Sequence, residues 1–154
     1  MTGSERRPPV IRACEESERP AVLALLADCG LPSAGLADHW RTTWVAVDPA
    51  NPSVVLGSVA LEIHASAALL RSLATRKDHR GHGLGDALYR FALARAHELG
   101  SESVSLLTTT AEPFFAVREF RAVSRDALPP ALKASAEFQG ACPASATAMT
   151  RSLP

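Results

Sequence analysis

The chain has 154 residues, 16 lysines and arginines against 16 aspartates and glutamates, and a hydrophobic content of 47%. This length suits one domain, and the apolar content excludes an intrinsically disordered chain. The balanced charge argues against a general nucleic-acid or anionic-membrane partner, and no apolar run approaches the roughly 20 residues that span a bilayer.

The N-terminus and the cysteines predict a cytoplasmic protein. Residues 1–9 contain two arginines, but no apolar segment follows them, so no secretory signal is expected. Cys14, Cys29 and Cys142 are odd in number and widely spaced. This pattern predicts free thiols in a reducing compartment and no zinc site, and we expect no metal cofactor.

In chain order, the sequence predicts one α+β domain over residues 9–154, after a frayed segment of residues 1–8. Apolar runs predict strands over residues 10–13, 42–47, 54–64, 69–75, 104–108, 120–123 and 146–150. A helix with an early Pro20 and a closing Gly30 follows the first strand, and a short helix is predicted over residues 113–118. The longest predicted helix, residues 84–99, has an apolar stripe made of Leu84, Leu88, Phe91, Ala92 and Leu99.

The predicted strand over residues 54–64 alternates between two faces. Val59, Leu61 and Ile63 share one face, whereas Glu62 and His64 lie on the other with small residues. Two interpretations remain open for this second face. It is either exposed to solvent, as in many antiparallel sheets, or its two ionisable side chains border a functional site.

A glycine-rich loop between a predicted strand and the longest helix carries the main chemical signal. Gly81, Gly83 and Gly85 alternate there, and Arg80 precedes them. Glycines permit positive φ and close approach of a ligand, and a helix N-terminus attracts anions, so the loop is expected to bind a pyrophosphate. The spacing fits neither the Rossmann fingerprint nor a P-loop. The alternative is a glycine-rich turn without a ligand.

The motif Arg80-x-x-Gly83-x-Gly85 resembles the pyrophosphate-binding motif of the GNAT superfamily of acyl-CoA N-acyltransferases, and the element order over residues 10–150 fits that fold. The resemblance implies a mixed, largely antiparallel central sheet of six to seven strands flanked by about four helices. It also implies acetyl-CoA as co-substrate, with its pantetheine arm along the strand before the loop. The cofactor-binding residues implied are Leu73, Ala74, Thr75, Arg80, Gly81, His82, Gly83, Leu84, Gly85, Thr108 and Phe115.

A second stretch, residues 108–120, resembles the other half of the cofactor site in this superfamily. Ala111 and Phe120 match its pattern, whereas Thr108 replaces the usual Asn, Phe115 the usual Tyr and Glu119 the usual Gly. In many relatives the tyrosine is proposed to protonate the departing CoA thiolate. A phenylalanine donates no proton, but a thiol pKa of about 8.5 makes the thiolate a tolerable leaving group. Water or a nearby hydroxyl group would then supply the proton.

Two narrower resemblances concern the acceptor. The run Leu107–Thr110 and the residues 136–146 are similar to the N-acetyltransferases associated with bacterial arsenic-resistance operons. Residues 106–115 are also similar to the acetyltransferase portion of N-acetylglutamate synthases. Both resemblances imply a small, amino-acid-like substrate.

The implied reaction is direct attack of an amine on the acetyl thioester, which requires a base and a polarised carbonyl. Glu62, on the strand beside residues 69–75, is the candidate base, and the hydroxyl of Thr109 is a candidate proton donor. Glu112 more simply favours a helix dipole. Cys142 is interpreted as a small buried residue rather than a nucleophile. Glu137 and Ser145 are further candidate site residues, supported only by their position near the C-terminus.

Arg71 interrupts an otherwise apolar predicted strand. A buried arginine needs a partner, which is either a substrate carboxylate or a protein carboxylate such as Glu62, and the second case makes Arg71 structural. Ser72 and Thr110 are the other candidate substrate-binding residues, because their hydroxyl groups would face the same cleft. Thr110 and its two preceding threonines could equally be β-formers at a strand end.

The sequence therefore predicts an acetyl-CoA-dependent N-acetyltransferase that acts on a small primary amine in a ternary complex. Two alternatives remain open, a catalytically weak acyl-CoA-binding or sensor module and a peptide N-acetyltransferase. The basic cluster over residues 76–82 is better explained by CoA phosphates than by nucleic acid, because it lacks interleaved aromatic residues. The expected partner is a small-molecule amine, with no nucleic acid or membrane, and a homodimer is left open.

Overall fold

The computed structural model describes residues 7–154. The predicted frayed segment, residues 1–8, therefore lies mostly outside the described residues. Residues 7–9 are exposed and have no regular secondary structure.

Seven strands form one mixed sheet. In chain order they are β1 Val10–Ala13, β2 Thr43–Asp48, β3 Asn51–His64, β4 Ala67–Thr75, β5 Ser103–Thr108, β6 Arg121–Val123 and β7 Thr147–Ser152. They lie in the order β1-β2-β3-β4-β5-β7-β6, and every neighbouring pair is antiparallel except β4 and β5. The prediction of a largely antiparallel α+β sheet is confirmed.

The helices cover both faces of this sheet. The α-helices are α1 Arg19–Asp28, α2 Leu84–Glu98 and α3 Glu112–Ala116. Shorter 3-10 turns cover Glu16–Glu18, Leu36–Thr42, Lys77–His79, Arg125–Ala127 and Pro130–Ala134, and a π-helical turn covers Glu137–Ala141. As predicted, Pro20 lies in the first turn of α1, and Gly30 follows its end with a φ of 69°. Among residues 7–154, no helix combines the length and the apolar character needed to cross a bilayer.

Both faces of β3 are covered, so the interpretation of its polar face as exposed to solvent is wrong. Val59 and Leu61 pack in the core beneath α2, whereas Ala60 packs in a second core beneath α1. Glu62 follows on the same side as Ala60 and is only 1% exposed. This face is not exposed to solvent, because the turn Leu36–Thr42 packs against β3.

The apolar stripe predicted for α2 is correct except at its end. Leu84, Leu88 and Ala92 are buried, but Leu99 is 47% exposed. Leu99 lies just beyond the last turn, where the chain leaves α2 for β5. Tyr89 and Ala96 are buried instead.

Strands β4 and β5 pair only at their beginnings, which opens a cleft in the sheet. Their parallel pairing covers Ala67–Leu69 against residues 103–105, although β4 continues to Thr75 and β5 to Thr108. Ser72, in this diverging part of β4, has a φ of 60°, and the register with β3 shifts there. The buried Ser58 hydroxyl donates to the Ser72 carbonyl over 2.8 Å and so fixes this bulge. Beyond Leu69, the β4 edge that faces the cleft has no strand partner among residues 7–154.

Candidate active site

A cavity of about 470 Å³ fills the cleft between β4 and β5. Such a volume is typical of a small-molecule site. Residues 70–75 of β4 form one wall, and Leu106 and Leu107 of β5 contribute to the other. Phe114 and Phe115 of α3 close one side, and the chain after α1 and the C-terminal turn at Glu137 close the rest.

A smaller cavity of about 230 Å³ adjoins the first and lies at the glycine-rich loop. Both cavities share Thr75, Arg80, Gly85 and Phe114, so they form one continuous cleft. Gly83 directly precedes α2 and has a φ of 81°, a left-handed conformation that favours glycine. The first N–H groups of α2 lie at this end of the cleft, where an anion would be stabilised.

The structure brings most of the predicted site residues to this cleft. Those that line the larger cavity are Arg71, Ser72, Leu73, Ala74, Thr75, Arg80, Gly85, Thr110 and Phe115. Those that line the smaller cavity also include Gly81, Gly83 and Leu84. His82 lines neither, but borders a separate surface cavity of about 910 Å³ together with Gly83 and Leu84.

Besides His82, three predicted residues lie outside both cavities of the cleft. Thr108 Oγ1 accepts a hydrogen bond from the backbone N–H of Ala111 over 2.9 Å, so this hydroxyl caps the turn before α3. Thr109 is exposed to solvent. Glu62 is buried but does not border the cleft, because Arg71 lies between.

Arg71 has two carboxylate partners from the protein. Its Nη1 atom lies 2.7 Å from Glu62 Oε2, its Nε atom lies 3.5 Å from Glu137 Oε2, and its side chain is fully buried. Nη2 also donates to the carbonyl of Pro32 over 3.3 Å. Two carboxylates against one guanidinium leave one net negative charge when both are ionised. The protein itself thus satisfies the pairing that a buried arginine requires.

Glu62 is held in its ionised form. Burial alone would raise its pKa, but hydrogen bonds from His64 and Arg71 outweigh burial and hold the pKa of Glu62 below its ordinary value. Its Oε1 atom lies 2.8 Å from His64 Nε2 and 3.4 Å from His39 Nε2. A carboxylate with a low pKa and three cationic or polar partners is a weak proton acceptor.

Glu137 is the carboxyl group that lines the larger cavity. Burial raises its pKa to about 7, although the charge of Arg71 opposes the rise. It lines the larger cavity and is only 4% exposed. A group with this pKa exchanges protons readily near neutral pH, which suits a general base. Sequence reasoning gave Glu137 little support, because residues 127–143 show no periodicity that would have placed it at the cleft.

Neither Cys142 nor Tyr89 supplies reactive chemistry to the cleft. Burial, together with the charge of Glu137, raises the pKa of the Cys142 thiol to about 11, so the thiol stays protonated, as expected for a buried cysteine without a nucleophilic role. Tyr89 is the one tyrosine of the chain. Its hydroxyl donates to the Arg118 carbonyl over 3.2 Å and accepts from Arg151 over 3.2 Å, and it does not line the cavity.

Comparison with known proteins gives a consistent family. The family described as acetyltransferase (GNAT) domain matches residues 39–122. The sequence has no significant match among curated proteins.

The fold resembles those of several solved acetyltransferases. N-acetylglutamate synthase from Neisseria gonorrhoeae, complexed with coenzyme A and N-acetyl-glutamate, superposes with a TM-score of 0.80 at 21% identity. That similarity covers 97% of this chain but only 36% of the synthase, so the chain corresponds to little over a third of it. Rv2747 from Mycobacterium tuberculosis, in complex with CoA, superposes with a TM-score of 0.77 at 22% identity. That similarity covers 95% of this chain and 100% of Rv2747. A GNAT-family acetyltransferase from Staphylococcus aureus Mu50 superposes with a TM-score of 0.74 at 15% identity, over 95% of this chain and 99% of that one.

Proposed function

Because the chain belongs to the GNAT acetyltransferase family, we propose that it transfers an acetyl group from acetyl-CoA to the primary amine of a small molecule. The observation that carries this proposal is the position of Glu137. A buried carboxyl group with a pKa of about 7 lines the same cleft that has the glycine-rich loop at its other end. A base and a cofactor loop in one cleft are what amine acetylation requires.

In this proposal acetyl-CoA lies along the cleft. The N–H groups of residues 81–85 and the side chain of Arg80 bind the pyrophosphate, with Leu84 beside it at the helix start. The pantetheine arm pairs with the free β4 edge at Leu73 and Thr75, over Ala74. Phe115 contributes an apolar wall. His82 and Thr108, which face away from the cleft cavities, have a smaller role in this arrangement.

The chemistry follows from the charges in the cleft. Glu137 accepts a proton from the substrate ammonium group, and the neutral nitrogen attacks the thioester carbon. Backbone N–H groups at the bulge near Ser72 stabilise the developing oxyanion. The C–N bond forms as the carbonyl oxygen becomes negative, and collapse of this oxyanion breaks the C–S bond. The attacking nitrogen then loses its second proton, which reaches the CoA thiolate through water or a hydroxyl such as that of Ser72. Thr109 is less well placed for this step, because it is exposed outside the cavity.

The charge balance bears on the acceptor. The structure of the gonococcal synthase contains N-acetyl-glutamate together with coenzyme A. For this chain we likewise propose a small, amino-acid-like substrate, as the sequence resemblance implies. In this cleft, however, Arg71 is already balanced by Glu62 and Glu137. An acidic side chain on the substrate would bring a further negative charge into a cleft whose arginine is already paired. We therefore favour an acceptor that has a cationic amine and no acidic side chain.

A panel of amines tests the proposed activity. We expect thiol release from acetyl-CoA with simple amines and neutral amino acids, and little or none with glutamate. Arsenic-containing and phosphinic amino acids test the resemblance to the arsenic-resistance enzymes, and short peptides test the peptide alternative. A panel in which only acidic amino acids are acetylated would contradict the charge argument. The free thiols of Cys14, Cys29 and Cys142 are consistent with the cytoplasmic location that we propose.

The second candidate function is a CoA-binding sensor with little turnover. Phe115 favours it, because this side chain lines the cavity and brings no proton donor to the leaving thiolate. Calorimetric binding of acetyl-CoA without thiol release on any amine of the panel would support the sensor. Turnover on any of these amines would exclude it.

The loop assignment predicts that Gly83→Trp weakens acetyl-CoA binding by at least about tenfold. The new side chain would cover the N-terminus of α2 and exclude the pyrophosphate, although a Cβ atom at Gly83 meets nothing within 4 Å. Isothermal titration calorimetry measures the dissociation constant.

Gly100→Trp is the matched control for this variant. Gly100 lies just beyond the other end of α2, has a φ of 86°, and a Cβ there also meets nothing within 4 Å. Both variants therefore share a backbone cost of about 1–2 kcal/mol, and only Gly83→Trp touches the cleft. Equal affinities in the two variants would place the cofactor elsewhere.

A further inference from the structure

His39, Glu62 and His64 form a compact group of potential metal ligands on the covered face of β3. One nitrogen from each histidine and one carboxylate oxygen lie within 4.8 Å of one another. Glu62 and His64 are two residues apart on β3, so their side chains project from the same face. His39 reaches the group from the turn Leu36–Thr42.

The donor set is one that transition metals prefer. Two imidazole nitrogens and a carboxylate suit Zn²⁺ and neighbouring divalent ions. Glu62 Oε1 lies 2.8 Å from His64 Nε2 and 3.4 Å from His39 Nε2. Ligand atoms of a tetrahedral Zn²⁺ lie about 3.3–3.5 Å apart, given Zn–N and Zn–O bonds of about 2.0–2.2 Å. The two histidine nitrogens lie within 4.8 Å of each other, so side-chain shifts of about 1 Å bring the three atoms to this spacing.

Glu62 and the turn that carries His39 are held in place by other contacts. Glu62 Oε2 accepts a hydrogen bond from Arg71 over 2.7 Å, which leaves Oε1 directed at the histidines. The backbone carbonyl of His39 accepts from the hydroxyl of Thr43 over 2.8 Å and from that of Thr42 over 3.3 Å. Such supporting contacts orient the ligands of metal sites.

The group is also accessible from solvent. The side chains of His39 and His64 are 22% and 16% exposed, whereas that of Glu62 is 1% exposed. An ion can thus enter from the histidine side and meet a buried anionic ligand. The expectation of no zinc site came from cysteine spacing and did not consider histidines that are distant in sequence.

We propose that His39, Glu62 and His64 bind one divalent transition-metal ion, for which Zn²⁺ is the reference, with water completing the coordination. The ion ties the turn Leu36–Thr42 to β3. It lies on the opposite side of Glu62 from Arg71 and thereby fixes the carboxylate that orients this cleft arginine. Glu62 is in this view a metal ligand and not the general base. The evidence for this metal site does not depend on whether the protein transfers acetyl groups.

Metal binding is tested on protein freed of its affinity tag and treated with a chelator. Titration with Zn²⁺ by calorimetry, and with Co²⁺ by visible absorption, is expected to give one ion per chain. Zn²⁺ is also expected to raise the melting temperature. Absence of binding, or a stoichiometry that reflects only surface histidines, would overturn the proposal.

The ligands are tested one at a time. His39→Ala and His64→Ala are each expected to weaken Zn²⁺ binding by at least about tenfold. His97→Ala is the control, since His97 is an exposed histidine in the last turn of α2. The Zn²⁺ affinity of this variant should equal that of the parent protein. His64→Gln keeps a hydrogen bond to Glu62 and guards against loss of the fold. Unchanged Zn²⁺ affinity in the folded His39 and His64 variants would refute the site.

Discussion

Glu137→Gln is expected to lower kcat/KM for amine acetylation by about 10²- to 10⁴-fold, the contribution typical of a general base. Glutamine keeps the size of the side chain and its place beside Arg71, but it cannot accept a proton from the ammonium group. Affinity for acetyl-CoA should be unchanged, because the cofactor loop lies at the other end of the cleft. Steady-state kinetics and calorimetry measure the two quantities.

The pH profile separates a base from a merely structural residue. Because burial raises the pKa of Glu137 to about 7, the base form accumulates as the pH rises through 7, and kcat/KM of the parent should rise with it. This rise should disappear in Glu137→Gln. Glu112→Gln is the control, since this exposed carboxylate at the start of α3 lines neither cleft cavity.

Two results would reject Glu137 as the base. One is a Glu137→Gln enzyme that keeps both the parent rate and the parent pH profile. The other is loss of the pH-dependent rise in Glu62→Gln but not in Glu137→Gln, which would return the role to the residue that the sequence first indicated. Glu62 does not line the cavity, whereas Arg71, which lies 2.7 Å from it, does.

Arg71→Met is expected to lower the free energy of unfolding by about 3–5 kcal/mol, because it leaves two buried carboxylates without their cation. Methionine fills much of the arginine volume, so the loss reflects charge more than packing. Urea denaturation at neutral pH measures the change. Arg90→Met is the matched control. Its ion pair with Asp86 lies on the surface of α2, where Arg90 is 78% exposed, and about 0.5 kcal/mol or less is expected there.

Acidification should reduce the penalty in Arg71→Met. A carboxyl group whose pKa is raised by folding contributes stability at low pH and loses it as the pH rises through the folded value. Removal of Arg71 raises the pKa of Glu137 further, so the deficit should be larger at about pH 8 than at about pH 5. Glu62→Gln added to Arg71→Met should recover part of the lost stability. A deficit that is independent of pH would show that Glu137 does not contribute to it.

The features that the sequence predicted are those encoded locally. The loop at Arg80 to Gly85, the long helix after it and the position of Phe115 each follow from residues close together in the chain. The family match confirms the superfamily resemblance, while the arsenic-resistance subgroup remains a prediction.

The features that the sequence missed depend on which layer covers which face. A period of two on β3 separates two faces but does not say that the turn Leu36–Thr42 covers one of them, so Glu62 could not be recognised as buried. Glu137 lies in a segment without periodicity, and only the packing of the C-terminal turn brings it to the cleft. The pairing of Arg71 with both carboxylates follows from these two placements.

The short pairing of β4 with β5 also has a mechanical consequence. Strands β1–β4 form one half of the sheet and β5–β7 the other, and only three residues of each strand join the halves across the parallel pair. Helix α2 packs on β3 and β4, but it also reaches the second half, because the Tyr89 hydroxyl accepts a hydrogen bond from Arg151 of β7. Because so few backbone pairs join the halves at Ala67–Leu69, their coupling is expected to depend mainly on the shared core beneath α2, which includes Val104 and Met149. A ligand that contacts both walls would couple them, and slower amide hydrogen exchange in β5 and β7 on its binding would record that coupling.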